Sequence, residues 1–200
     1  MERIIGTRKQ GGLCLVTGES GRQFAYPLAM RALFPVREGD EADLDDLERE
    51  LRRRARPYAM ARLAQLQAGR DHTRKELLEA LRRQGYPEEC AGEAVEEMCA
   101  AGLAGDERYC ESLIRSRARK EGRGLLERKM RAQGADDETV RQALDDFLDP
   151  EEEERAAVAQ AEKLRARGVE EQKIFLRLSR KGYSRSLCLK AVRETGEGAP

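Results

Sequence analysis

Tryptophan is absent, aromatic residues make up 4% of the 200 residues, and the one histidine is His72. A Ser-His-Asp or Cys-His engine would have to be built on that single imidazole, which stands in a polar stretch between Asp71 and Thr73. The five cysteines (Cys14, Cys90, Cys99, Cys110 and Cys188) form no CxxC and have no histidine at zinc-ligand spacing. They read as free thiols in a reducing compartment. No run approaches the roughly 18 apolar residues of a membrane span. The start, Met1-Glu2-Arg3-Ile4-Ile5-Gly6, has no apolar h-region. A cytoplasmic protein without membrane attachment is expected. Net charge of one sign is also missing: 38 basic and 38 acidic residues cancel. What is abundant is charge itself, 38% of the chain against about 25% in an average soluble domain. Such a chain builds a thin core of Leu, Val, Ala and Met.

The first 42 residues differ from the rest. Leu13, Leu15, Phe24 and Tyr26 alternate with smaller or polar neighbours, and Gly11-Gly12 and Gly18–Gly21 punctuate them. This predicts a β-meander with strands near 2–8, 13–17 and 22–27. Pro27 ends the last strand, a helical turn follows near 28–34, and Pro35 and Gly39 break the chain. Beyond Asp43 the period is helical. Leu44, Leu47 and Leu51 share one face of a linker helix over 43–56, and Pro57 is expected to open a new element.

An internal repeat dominates the remainder. Segments 73–98, 123–147 and 171–194 align on Gly85, Gly134 and Gly182, which are 49 and 48 residues apart. Four residues before each glycine stands Leu81, Met130 or Leu178, and eight before stands Leu77, Leu126 or Ile174. Nine and ten after stand Ala94-Val95, Ala143-Leu144 and Ala191-Val192. A period near 50 residues marks a repeated supersecondary unit. Thr73-Arg74-Lys75-Glu76 is a capping box, the glycines suit left-handed helix closure, and Pro87, Asp136 and Ser184 suit the starts of third helices. The expected fold is mainly α: tandem three-helix repeats at 57–104, 105–149 and 150–194 in an elongated array, with a small N-terminal β-meander and a disordered tail over 195–200.

No motif points to catalysis, a cofactor or a metal. Gly6–Gly12 lacks a P-loop pattern, and the run Asp149–Glu154 lacks EF-hand alternation. Charge banding is more informative. Residues 115–131 carry Arg115, Arg117, Arg119, Lys120, Arg123, Arg128, Lys129 and Arg131 for a net +6. Residues 177–193, with Arg177, Arg180, Lys181, Arg185, Lys190 and Arg193, also sum to +6. Between them 136–154 sums to −9, and 38–50 to −7. One reading is that these are wet helix faces neutralising one another. The other is that the basic bands meet a polyanion or an acidic protein surface. No aromatics interleave the arginines, so base stacking is poorly supported and any phosphate contact is sequence-blind.

Three Gly-ended helical repeats behind a small β region resemble the bacterial RecX family of recombination regulators. Thr73-Arg74-Lys75-Glu76-Leu77 with Leu81 and Gly85-Tyr86 is similar to the family's Ser-Arg-x-Glu-Leu segment. Gly102–Tyr109 resembles its Gly-aliphatic-x-Asp-Asp-x-x-aromatic signature, and Arg180-Lys181-Gly182-Tyr183-Ser184 its third-repeat ending. Gly105 replaces the first Asp of that signature, His72 and Gly124 stand where Arg is frequent, and Gln84 and Gln133 replace Lys. The resemblance, over about residues 58–193, implies a non-enzymatic regulator. It implies binding to RecA and to its filament on single-stranded DNA, and inhibition of RecA's ATPase, recombinase and co-protease activities. The partner-binding residues expected are Arg115, Arg117, Arg119, Lys120, Arg123, Arg128, Lys129, Arg131, Arg177, Arg180, Lys181 and Arg185. A monomer is expected, with direct contact to single- or double-stranded DNA, or a passive protein-binding scaffold, as the alternatives.

Overall fold

The computed structural model describes residues 1–197. Contacts divide the chain into two units, Met1–Gly105 and a second beginning at Asp106.

In the first unit, β1 (Glu2–Gln10), β2 (Leu13–Gly18), β3 (Gln23–Pro27) and β4 (Glu41–Ala42) form an antiparallel sheet in the order β3-β2-β1-β4. β4, two residues on the edge, is not signalled by any apolar alternation. Cys14 pairs with Tyr26 and Val16 with Phe24, so these four share the buried face. Leu13 and Leu15, the alternation most visible in the sequence, lie on the other face and stay half-buried. Because side chains alternate along a strand, that one-residue choice decides which set enters the core. Phe24, Tyr26 and Phe34 form an aromatic trio with centroids 5.0–5.5 Å apart, concentrating scarce aromatic area in one place.

The helix α1 runs unbroken over Leu44–Gly69. This corrects the expected boundary at Pro57. Leu51, Ala55, Ala59 and Leu63 are buried at four-residue intervals on both sides of the proline, so one continuous stripe holds the helix together. Pro57 itself is exposed, where water can satisfy the carbonyl one turn earlier that its missing N–H leaves free. α2 (Arg74–Arg83) and α3 (Glu88–Ala100) complete the first bundle. Both halves of the Thr73–Glu76 capping box form. The strands, α1, α2 and α3 feed a single core from Ile4 to Ala104. The β region and the first repeat are therefore one folding body, not the separate segments 1–42, 43–56 and 57–104. Gly85 adopts φ +80, and a Cβ there would sit 2.4 Å from Leu13 Cδ1, so the helix end seats against the sheet.

The second unit holds two bundles, each with its own core. One is α4 (Asp106–Arg117), α5 (Arg123–Ala132) and α6 (Asp137–Phe147); the other is α7 (Pro150–Arg165), α8 (Glu171–Arg180) and α9 (Arg185–Glu197). The repeat register holds in three dimensions. Leu77, Leu81, Leu126, Met130, Ile174 and Leu178 are all fully buried. Gly85, Gly134 and Gly182 all follow a second helix with φ between +80 and +90. The expected tail begins too early: α9 continues to Glu197, its last turn tied by Thr195 Oγ1 donating to the carbonyls of Ala191 and Val192. The rest of that expectation, residues 198–200, lies outside the described residues.

Candidate partner-binding face

The basic bands at 115–131 and 177–193 are far apart in sequence, and the second unit brings them together. The turn after α4 meets the turn after α8 through main-chain hydrogen bonds. Gly122 N–H donates to the Lys181 carbonyl at 2.9 Å, and Gly124 N–H to the Gly182 carbonyl at 3.0 Å. The approach is close enough to demand glycine on both sides. A Cβ on Gly182 would lie 2.1 Å from Leu125 N, and one on Gly122 would lie 2.6 Å from Tyr183 N. Glu153 of α7 is buried at 8% exposure and closes the joint. Its Oε1 accepts from the Arg123 main-chain N–H at 2.7 Å, a charge-assisted bond to a helix N-terminus. The Tyr183 hydroxyl is buried beneath it without a hydrogen-bond partner. Burial, then Glu153 and Glu121, push its pKa up to about 12.

Around this joint the twelve expected residues separate by what they touch. Arg115 pairs with Glu111 at 2.5 Å, and Arg117 with Glu121 at 3.6 Å. Lys129 pairs with Glu121 at 2.6 Å, and Arg123 with Asp145 at 2.6 Å. Arg131 bridges Glu127 and Asp137 at 2.9 and 2.6 Å. For these, local neutralisation holds. Lys181 is half-buried and donates to Gln160 Oε1 at 2.5 Å. Burial lowers its pKa; Glu121 opposes that, and the charges of Lys163 and Lys120 add to it. Arg119, Lys120, Arg128, Arg177, Arg180 and Arg185 are exposed and have no acidic partner among the described residues. Arg128 donates only to the Gly124 carbonyl of its own helix, at 3.1 Å.

The acidic band at 136–154 is spent largely inside the unit, Asp137 on Arg131, Asp145 on Arg123, Glu153 on the joint and Glu154 on Lys190. Within the two basic bands, Arg119, Lys120, Arg128, Arg177, Arg180 and Arg185 are left without an acidic partner among the described residues. Sequence reasoning missed Glu153 and Glu121, which look like ordinary members of charged runs. No periodicity distinguishes a carboxylate that will be buried against a main-chain N–H from its solvated neighbours.

His72 Nδ1 lies 2.8 Å from the Arg70 carbonyl oxygen and 3.2 Å from Gln67 Oε1. Burial lowers its pKa, and the Arg70 charge adds to that. It ties the turn after α1. All five cysteines are free, and burial, with Asp106 and Asp136, raises the Cys110 thiol to about 12. No His, Cys, Asp and Glu cluster suited to a metal occurs among the described residues, and no helix there is long and apolar enough to cross a membrane.

Comparison with known proteins matches this architecture to one family. The family model for the RecX second three-helix domain matches residues 106–144, and that for the first three-helix domain matches residues 66–98. The Regulatory protein RecX of Streptomyces coelicolor is 36% identical over 148 residues, covering 70% of this chain and 78% of that protein.

The chain belongs to the RecX family.

The Regulatory protein RecX of Mycolicibacterium smegmatis is 31% identical over 134 residues, covering 62% of this chain and 71% of its own. Among solved structures, a regulatory protein RecX aligns with TM-score 0.62 at 21% identity, over 97% of this chain and 100% of that one. The RecX of Lactobacillus salivarius aligns with TM-score 0.62 at 22% identity, over 74% and 98%. These two likenesses carry the fold. The relatives are regulators by name, so the RecX membership makes this chain a regulatory protein built on three-helix bundles.

Proposed function

We propose that this RecX-family chain binds RecA on single-stranded DNA and restrains its ATPase, recombinase and co-protease activities. The observation that carries the reading is the convergence of the two basic bands at the Gly122–Gly182 joint. There Arg119, Lys120, Arg128, Arg177, Arg180 and Arg185 offer charge that nothing acidic in the described chain consumes. A joint closed by main-chain bonds presents that charge on a fixed frame, and fixed cationic faces orient an acidic partner and speed its encounter. No bond-making step is required of the chain.

The test is RecA ATPase on single-stranded DNA, titrated with substoichiometric protein. Hydrolysis falls with added protein if the reading is right, and the stoichiometry at half-inhibition separates capping of filament ends from coating. Unchanged hydrolysis at equimolar protein refutes it. Direct phosphate contact is the second reading, favoured by the exposed Arg119 and Lys120 beside the joint, which have no acidic partner among the described residues. It predicts binding to bare DNA whose logarithm falls linearly with the logarithm of salt, without any effect on RecA.

A further inference from the structure

Aligned on Gly85, Gly134 and Gly182, the three bundles serve as controls for one another. In the first two, second and third helices are tied by two ion pairs. Three residues before and after the glycine, Arg82 pairs with Glu88, and Arg131 with Asp137 at 2.6 Å. Eleven before and after, Arg74 pairs with Glu96, and Arg123 with Asp145 at 2.6 Å. The third bundle has neither. The inner positions hold Ser179 and Arg185, and the outer ones hold Glu171 and Arg193 with the charges exchanged. Glu171 turns to Arg165 at 2.8 Å, and Arg185 and Arg193 have no acidic partner among the described residues.

The same surface becomes apolar only in this bundle. Six residues before the glycine, Glu79 and Arg128 are replaced by Leu176; seven after, Gly92 and Arg141 are replaced by Leu189. Leu176 is 53% exposed and Leu189 48%. With Phe175 and Val192 they line a groove of about 450 Å³ between α8 and α9. Arginines bracket the leucines at one-turn spacing: Arg180 follows Leu176, and Arg185 and Arg193 flank Leu189. Apolar anchors with Arg185 in the groove wall, Arg180 and Arg193 one turn from the leucines, and the one lining carboxylate, Glu171, held by Arg165 complement an amphipathic helix with carboxylates beside its apolar stripe. A phosphate backbone would leave the leucines wet.

We propose that this groove docks an acidic amphipathic segment of a partner protein. Resting on the preceding reading, that segment belongs to RecA. Two variants test it. Leu176→Gln with Leu189→Gln removes the anchors at exposed positions. Ser179→Arg with Arg185→Glu rebuilds the ion pair of the other bundles, which keeps the fold while placing an acid at the groove's rim. Binding is measured to RecA filaments on a dT oligonucleotide, with thermal melts alongside. Both variants should melt with the parent and bind at least tenfold more weakly. A photo-crosslinking benzoylphenylalanine at position 176 should label the RecA polypeptide. Filament binding by both variants within twofold of the parent would sink the groove alone. So would labelling of the oligonucleotide or of a second copy of this chain. Failure of the parent itself to bind filaments would overturn the RecA reading first, and this inference with it.

Discussion

Replacing single glycines at the joint of the second unit separates packing from backbone strain. Gly182 has φ +87 and its Cβ would fall 2.1 Å from Leu125 N. Gly122 has φ −83, open to any residue, but its Cβ would fall 2.6 Å from Tyr183 N. Gly168 has φ +71 and nothing within 4 Å. Gly168→Ala therefore carries only the left-handed penalty, about 1 kcal/mol. Gly122→Ala carries only the clash, which parts the turns and loses two main-chain bonds worth about 1 kcal/mol each. Gly182→Ala carries both, about 3 kcal/mol. In a body the size of the second unit each kcal/mol moves the melting temperature by roughly 4–8 °C. Thermal melts followed by circular dichroism should rank the variants Gly168→Ala, Gly122→Ala, Gly182→Ala in rising damage. A Gly122→Ala protein melting within about 2 °C of the parent would refute the claim that the joint is tightly closed.

Glu153→Ala should destabilise the second unit by about 2 kcal/mol in urea unfolding, because a buried charge-assisted bond to Arg123 N–H is lost. Tyr183→Phe removes a buried hydroxyl without a partner and should leave the melt equal to or about 1 kcal/mol above the parent. Both Tyr183 and Cys110 have folded pKa values raised to about 12, from 10.0 and 9.0. Their neutral forms are favoured by the fold, so their contribution is whole below about pH 9 and is lost as pH climbs to about 12; Tyr183→Phe should flatten the upper part of that decline. Thr73→Ala should cost about 1 kcal/mol through the capping box, seen as a lowered urea midpoint of the first unit.

The helices were legible because the apolar stripes that repeat with the glycines are also the buried ones. Leu77, Leu126 and Ile174 announce themselves by period, and their burial is complete. Pro57 misled because propensity is local. The stripe Leu51, Ala55, Ala59 and Leu63 outweighs one missing N–H facing water. β4 was invisible: two residues on a sheet edge, Glu41 and Ala42, are selected by the strand they pair with, not by their own composition. The site was half legible. Charge bands can be counted along a sequence, but which members are already spent depends on partners brought in by the fold. Arg131 and Arg177 look alike in the chain; Asp137 and Glu127 hold the first, and nothing acidic among the described residues holds the second. The apolar groove was written in the repeat alignment, where Leu176 occupies the position held by Glu79 and Arg128 in the other two repeats.

The central claim is that uncompensated charge at the joint, rather than charge in general, engages RecA. Two variants with equal charge loss decide it: Arg177, Arg180 and Arg185 all changed to Gln, against Arg115, Arg117 and Arg131 all changed to Gln. Measured by RecA ATPase on single-stranded DNA, the first set should relieve inhibition at least tenfold, and the second should remain within about threefold of the parent, because Glu111, Glu121, Glu127 and Asp137 already offset those three charges. Equal loss from both sets, or full inhibition by the first, would contradict the account.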